Sequence, residues 1–302
     1  MDVAVSGSSG LIGGALCDRL EERGDTVRRL VRRPADSPRE IRWDPDRGLL
    51  DPGRLEGVDA VAHLAGAGIA NRRWTRSRMD LILGSRTRGT HLISSAMAES
   101  RRAGTGPGIL VSGSAIGFYG DRPDEPLDET SARGGGFLAD VCVAWEAATR
   151  TAESAGVRVA HARTGIVLSS RGGLLAAQLP LFRLGLGGPL GPGTQWMSWV
   201  SLSDEVSALC WLIDNEVCGP ANLVSPSPVT NAGFATSLGS AVRRPARIRT
   251  PALVPSIPFG RRLVTELMLS SAVVRPSVLL DGGFCFSKPS LDEVFRSELG
   301  VP

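Results

Sequence analysis

The run Gly7-Ser8-Ser9-Gly10-Leu11-Ile12-Gly13 restricts the fold of this 302-residue chain more than any other feature. Before it, Asp2 to Ser6 is short and apolar and reads as a strand. After it, Leu11 to Arg23 has apolar residues at helical spacing and stops at Gly24. A second strand at Thr26 to Val31 completes a βαβ unit. Glycine lets the connecting turn bend tightly and approach a pyrophosphate, whose charge then meets unpaired amides at the helix start. A glycine triplet alone says little, but in this setting it points to a dinucleotide.

The alternation continues. Strands are predicted at Glu40 to Trp43, Val58 to Leu64, Ile109 to Ser112 and Val157 to Arg163, with helices from about Thr75 to Ala98 and from Gly136 to Ser154. Such a chain is α/β, a Rossmann-type doubly wound parallel sheet with ligands at the carboxyl ends of its strands. Beyond Thr164 the pattern loosens through the glycine- and proline-rich Gly185 to Gly193. A helix at Ser203 to Asp214 and a strand near Asn222 to Ser225 lead to a turn at Pro226 to Pro228. Short helical stretches around Asn231 to Ser240, Gly260 to Ser270 and Leu291 to Glu298 then predict a small, mainly helical C-terminal domain. The expected division is a dinucleotide-binding domain over residues 1–225 and the small domain over 226–302.

Cofactor choice is read at the end of the second strand. There a carboxylate suits the ribose diol of NAD, whereas arginine accommodates the 2′-phosphate of NADP. This strand ends Leu30-Val31-Arg32-Arg33 with no acid, so NADP(H) is the expected cofactor. Asp44 is a candidate for the adenine edge or a turn former, and Leu64-Ala65-Gly66 either lies against the cofactor or packs closely at a strand end. The candidate cofactor residues are therefore Gly7, Ser8, Ser9, Gly10, Leu11, Ile12, Gly13, Arg32, Arg33, Asp44, Leu64, Ala65 and Gly66.

Composition narrows the remaining choices. A net charge of +3 with arginines spread along the chain gives no basic face for nucleic acid. No apolar run approaches the roughly 18 residues that span a bilayer, and Met1 to Ser6 lacks a signal-like start, so a cytoplasmic protein without membrane contact is expected. The 5 cysteines form no CxxC pair and read as reduced core thiols. His63, His91 and His161 fall on unrelated elements, and no metal site follows. The expected partner is a small-molecule substrate.

Further motifs are Arg72-Arg73-Trp74, Ser85-Arg86, Ser114 through Tyr119-Gly120, Phe137-Leu-Ala through Trp145-Glu146, Arg163-Thr-Gly-Ile-Val-Leu168, Gln195 through Trp199 and Pro228 through Asn231. Near the C-terminus come Ser270-Ser271, Arg275-Pro276 and Gly283-Phe284. Over nearly its whole length the chain resembles the extended short-chain dehydrogenase/reductases, and more narrowly their epimerase-like branch, the nucleoside-diphosphate-sugar epimerase homologues with a small C-terminal domain. The resemblance implies a nicotinamide cofactor and a cleft between the two parts for an alcohol, carbonyl or nucleotide-sugar-like substrate.

Active members of that superfamily use a Tyr-x-x-x-Lys pair on one helix face, the lysine lowering the tyrosine pKa, with a serine nearby. Counting back from Glu146 puts Cys142 at the lysine position and Leu138 at the tyrosine position. Composition agrees: the single tyrosine, Tyr119, and the single lysine, Lys288, are too far apart in sequence to share a helix. Phe137, Leu138, Val141, Cys142 and Trp145 form an apolar stripe instead, core or pocket wall. Ser114 and Tyr119 remain as catalytic candidates. The segment is one residue longer than usual, which leaves Ser112, Ser114 or Ala115 for the serine position. Without a lysine Tyr119 keeps a pKa of about 10 and is a poor base. Arg72, Arg73 and Arg86 suit a charged substrate or surface ion pairs. Two readings follow: an oxidoreductase or epimerase with an atypical site, and a non-catalytic NADP(H)-binding sensor.

Overall fold

Val3 and Val5 face one layer of helices and Ala4 the other, the two-sided burial that a central strand of a covered parallel sheet requires. This strand, β1 (Asp2–Ser6), opens the computed structural model, which describes residues 1–300. It is followed by α1 (Leu11–Glu22), β2 (Thr26–Val31), β3 (Glu40–Asp44), the two-residue β4 (Leu49–Leu50), β5 (Ala60–His63), α2 (Arg76–Arg102) and β6 (Ile109–Ala115). Next come β7 (Arg122–Leu127), α3 (Phe137–Ala147), α4 (Arg150–Ser154), β8 (Arg158–Thr164), β9 (Ile166–Ser169) and α5 (Gly173–Arg183). The sequence continues through β10 (Trp196–Met197), β11 (Trp199–Ser201), α6 (Leu202–Asp214) and β12 (Gly219–Leu223).

Eight strands form one sheet in the order β12-β8-β6-β5-β1-β2-β3-β4, parallel except where β4 folds back on β3. The chain walks outward from β1 through β2 to β3, then returns beside β1 with β5 and walks the other way. That reversal opens a crevice at the carboxyl ends of β1 and β5, the place where doubly wound sheets take ligands. Leu16 and Leu20 of α1 and Leu209 of α6 fill one face against Val3 and Val5. Ile93 and Met97 of α2 fill the other against Ala4 and Val61. No helix among the described residues is long and apolar enough to cross a membrane.

One local expectation changes, and one strand arises that the sequence pattern does not announce. The single helix expected over Gly136 to Ser154 breaks at Thr149, whose hydroxyl turns back onto the Glu146 carbonyl oxygen at 2.7 Å and competes with helical bonding. The charged, proline-containing Arg122–Leu127 segment is a strand. It pairs in parallel with Ala272–Val274, a long-range partner that local periodicity does not announce. Ser198 ties that ribbon down, donating to Ala272 O at 2.8 Å and accepting from Val274 N at 2.9 Å.

Residues on both sides of Pro226 share a further core, in which Leu175, Phe182 and Trp199 pack with Phe234, Val294 and Phe295. Asp204, at the start of α6, holds the late chain by accepting from Ser287 N, Ser287 Oγ and Lys288 N at 2.8, 2.6 and 3.0 Å.

Candidate functional site

Each glycine of the N-terminal turn meets a separate steric demand. Gly7 takes φ +72°, and a Cβ there would lie 2.9 Å from the backbone of Leu64 and Ala65. Gly10 N donates to Gly7 O at 2.9 Å to close the turn. A Cβ on Gly13 would stand 2.2 Å from Gly7 O, so α1 packs against β1 only because that atom is missing. The helix starts at Gly10 with no side-chain cap and no acid in its first turn. The amides of Leu11, Ile12 and Gly13 have no acceptor among the described residues, an arrangement with the donors and the dipole end to take an anion. Ser8 and Ser9 form the rim beside it, half-buried and exposed respectively.

A buried polar contact sets the height of this turn. Ser6 Oγ accepts from Leu64 N at 3.2 Å and Ala65 N at 3.3 Å, and lies 2.6 Å from His63 Nδ1. Its one proton therefore goes to Nδ1, which leaves the imidazole proton on Nε2. Burial pushes His63 down to about 3, so the ring is neutral, and it stands edge-on to Trp43 at 5.8 Å. The sequence pattern does not reveal this buttress by His63, although Ser6, the polar residue directly before the glycine turn, is its one local sign.

At the end of β2, the two arginines differ. Arg33 is gripped by Glu40 at 2.6 and 2.9 Å and by Asp36 at 2.5 Å, so its charge is already matched. Arg32 is exposed, with no side-chain partner among the described residues. Asp44 caps a turn, accepting from Asp46 N at 3.1 Å and Arg47 N at 3.3 Å. Leu64 and Ala65 lie against Gly7, and Gly66 lies under the guanidinium of Arg86.

Toward β6 and α3 the proton-carrying groups are engaged with one another. Ser114 donates to Glu146 Oε1 at 2.7 Å, and Glu146 is held from its other side by Arg163 through two bonds of 2.8 and 2.9 Å. Arg163 Nη1 donates to the Tyr119 hydroxyl at 3.0 Å, and that hydroxyl donates to Asn222 Oδ1 at 2.8 Å. Tyr119 is fully buried, and burial pushes its phenol above the ordinary value despite the Arg163 charge. Leu138 and Cys142, one turn apart on α3, both face Gly117, where an added Cβ would meet Leu138 Cβ at 3.2 Å and Cys142 Sγ at 3.8 Å. The Cys142 thiol donates to Ala115 O at 3.5 Å, and burial raises its pKa to about 11.

Lys288 Nζ is spent on Ser203 Oγ at 3.0 Å. Phe137 and Val141 pack with Trp74, Ile82 and Leu263. Trp199 is core, whereas Trp196 is half-buried. Arg72 is exposed, and the Arg73 side chain lies against Gly260.

Behind β8, Glu205 is wholly buried, accepts from Thr164 Oγ1 at 2.7 Å and leaves Oε2 without a partner. Burial pushes its pKa from 4.5 up to about 8, so the folded protein holds this proton at neutral pH. From pH 4.5 to 8 the folded state binds the proton and the unfolded chain does not. Stability is thus full below 4.5 and falls by about 1.4 kcal/mol per pH unit as pH rises toward 8. His63 acts oppositely, losing stability as pH falls from 6.5 toward 3. Glu205→Gln is expected to raise the unfolding free energy by up to about 3 kcal/mol at pH 7 and hardly at all at pH 4.5. Urea melts at both pH values check this, and an equal effect at the two would contradict it.

The family model described as "NAD dependent epimerase/dehydratase family" matches residues 3–224. An epimerase family protein of Mycobacterium bovis is 44% identical over 292 residues, covering 96% of this chain and 95% of its own. The crystal structure of human epimerase family protein SDR39U1, isoform 2, with NADPH superposes with a TM-score of 0.91 at 33% identity, covering 99% of both chains. That of a nucleoside-diphosphate sugar epimerase from Corynebacterium glutamicum gives 0.82 at 35% identity, covering 99% of this chain and 58% of the other.

Proposed function

The chain belongs to the NAD dependent epimerase/dehydratase family, and from that premise we propose that it binds NADP(H) and exchanges hydride between the nicotinamide and an alcohol, carbonyl or nucleotide-sugar-like substrate. One observation carries the cofactor: the uncapped α1 amides behind the Gly7, Gly10 and Gly13 turn, with the uncommitted Arg32 at the end of β2. In this reading Ser8 and Ser9 rim the pyrophosphate, while Leu64 and Ala65 form the floor on which the dinucleotide lies and Gly66, under the Arg86 guanidinium, marks where that floor ends. Arg32 meets the 2′-phosphate, Arg33 shapes the loop through Glu40, and Asp44 shapes the turn at the adenine end. The NADPH in the human relative supports the same choice.

Hydride chemistry belongs to the cofactor, and the protein need only align a substrate beside it. Ser114 would sit at that edge, positioned by Glu146. The buried Tyr119 would act through Arg163 rather than on substrate. A second reading, an NADP(H)-binding redox sensor, is favoured by one observation: Ser114, Tyr119, Cys142 and Lys288 all have their polar atoms committed to protein partners. NADPH consumption over a panel of carbonyls and nucleotide sugars separates the two.

Fluorescence titration tests the cofactor directly. NADPH is expected to bind at least about tenfold tighter than NADH, and Arg32→Ala to remove most of that preference, the scale of one charge-assisted phosphate contact. Arg33→Ala should change it less, because Glu40 and Asp36 already neutralise that side chain. NADH binding more tightly than NADPH would overturn the assignment.

A further inference from the structure

Arg86, on α2, is placed unlike any other arginine of the site. Its guanidinium lies flat on the chain at the end of β5: a Cβ on Gly66 would meet Cζ at 3.2 Å and both terminal nitrogens at 3.4 Å. Nη1 donates to Ala67 O at 3.0 Å and Ile82 O at 3.2 Å. Cζ stands 4.9 Å from the centre of the Trp145 ring on α3. Trp145 is itself seated on β6, where a Cβ on Gly113 would be 2.9 Å from its Cζ2. Three elements thus fix the plane and direction of this group.

What the group lacks is a counter-charge. No carboxylate pairs with Arg86 among the described residues, and Nε and Nη2 make no hydrogen bond there. The ionisable group beside it on α3 is Cys142, a neutral thiol at physiological pH. Burial and the neighbouring Arg78 both disfavour the charged form of Arg86. A half-buried cation without a partner is costly, and the cost is recovered when an anion reaches it. Nε and Nη2 lie side by side on one edge of the guanidinium, the fork that grips a carboxylate or phosphate through two parallel bonds.

Its position distinguishes it from the pyrophosphate cradle. The α1 amides sit over the Gly7 turn, whereas Arg86 lies past Gly66, against Trp145 and Cys142 of α3. By the count from Glu146 the family's lysine position falls on Cys142, so the cation near that residue comes from α2 instead. The geometry points to Arg86 as the anion-recognising residue of a substrate subsite, one that takes a small molecule carrying a carboxylate or phosphate beside the nicotinamide end of the cofactor. Only the phrase beside the nicotinamide rests on the cofactor reading above; the oxyanion subsite stands on the side chains.

The NADPH-loaded protein is titrated with oxalate, with inorganic phosphate and with the neutral diamide oxamide, read by calorimetry and by tryptophan fluorescence. Trp145→Phe identifies the reporting ring. Saturable binding of oxalate or phosphate is expected, with no response to oxamide, and the anion that binds more tightly identifies carboxylate or phosphate as the natural group. Arg86→Met should weaken that binding at least tenfold, and Arg86→Lys, which keeps charge and loses the fork, by an intermediate factor. Both variants should keep NADPH and 2′,5′-ADP within about threefold of the parent.

No saturable anion binding in the parent protein, or undiminished binding in Arg86→Met, overturns the proposal. So does a tenfold loss of NADPH with 2′,5′-ADP retained, which would make Arg86 a cofactor residue. Should Arg86→Met not fold, Arg86→Lys decides alone, and oxyanion affinity equal to the parent's counts against the fork. Parent protein that binds oxyanion through Arg86 without binding NADPH would sink the cofactor reading and leave this one standing.

Discussion

Arg163→Met is expected to lower the unfolding free energy by about 3–5 kcal/mol, among the largest losses a single substitution here should cause. Arg163 is only 4% exposed and grips Glu146 through two bonds while its Cζ lies 3.5 Å from the centre of the Phe118 ring. Burial pushes the Glu146 carboxyl up, and the bonds from Arg163 and Ser114 more than reverse this, holding it below the usual range. Methionine fills much of the arginine's space but leaves a part-buried carboxylate without its cation, together with a Tyr119 hydroxyl that has lost a donor.

Most of the loss comes from that stranded charge rather than from the pair's own attraction. The double variant Arg163→Met, Glu146→Leu should therefore recover part of the stability that Arg163→Met loses. Denaturant melts at pH 7 give both numbers. A loss below about 1 kcal/mol, or a double variant no more stable than Arg163→Met, would mean that the network is not what holds α3 against β8.

The contrast between this network and the glycine turn explains which parts of the molecule are legible in the sequence. The turn announces itself because its causes are local: Gly7, Gly10 and Gly13 are spaced by the geometry of one strand, one bend and one helix. The parallel direction of the sheet follows from alternation, since each βα unit must return its strand parallel to the last. Tyr119 is different. Its segment shows that it follows a strand, but whether the phenol faces the crevice or the core is settled by Asn222 and Arg163, which lie 103 and 44 positions away.

The pairing of Arg122–Leu127 with Ala272–Val274 is hidden for the same reason. Prolines and acids mask the strand, and the partner that makes it one lies near the other end of the chain. Arg86 was visible as a cation in Ser85-Arg86, but its lack of a counter-charge is a property of three elements together. Local chemistry is thus readable from spacing, whereas the fate of each polar side chain depends on what the fold brings to it.

Gly13→Ala carries the most direct consequence for function. The added Cβ would stand 2.2 Å from Gly7 O and 2.7 Å from Gly7 C, backbone atoms that no rotamer change can move. Either α1 slides away from β1 or the Gly7 turn shifts, and each movement takes the amides of Leu11 to Gly13 off the pyrophosphate. NADPH affinity is expected to fall at least about 100-fold, roughly 3 kcal/mol, with a stability loss of about 1–3 kcal/mol from overpacking. The adjacent Gly14→Ala is the control, because its Cβ would reach Ser8 O at 3.4 Å, an ordinary contact. Alanine inside a helix is better than glycine by about 0.5–1 kcal/mol, so this variant should be as stable as the parent or more so and keep its cofactor. Titration of both with NADPH, beside thermal melts, separates steric displacement of the turn from a general dislike of alanine in α1. Retention of parent-like affinity by Gly13→Ala would show that the cofactor does not lie on this turn, since two substitutions one residue apart differ there only in what their methyl groups strike.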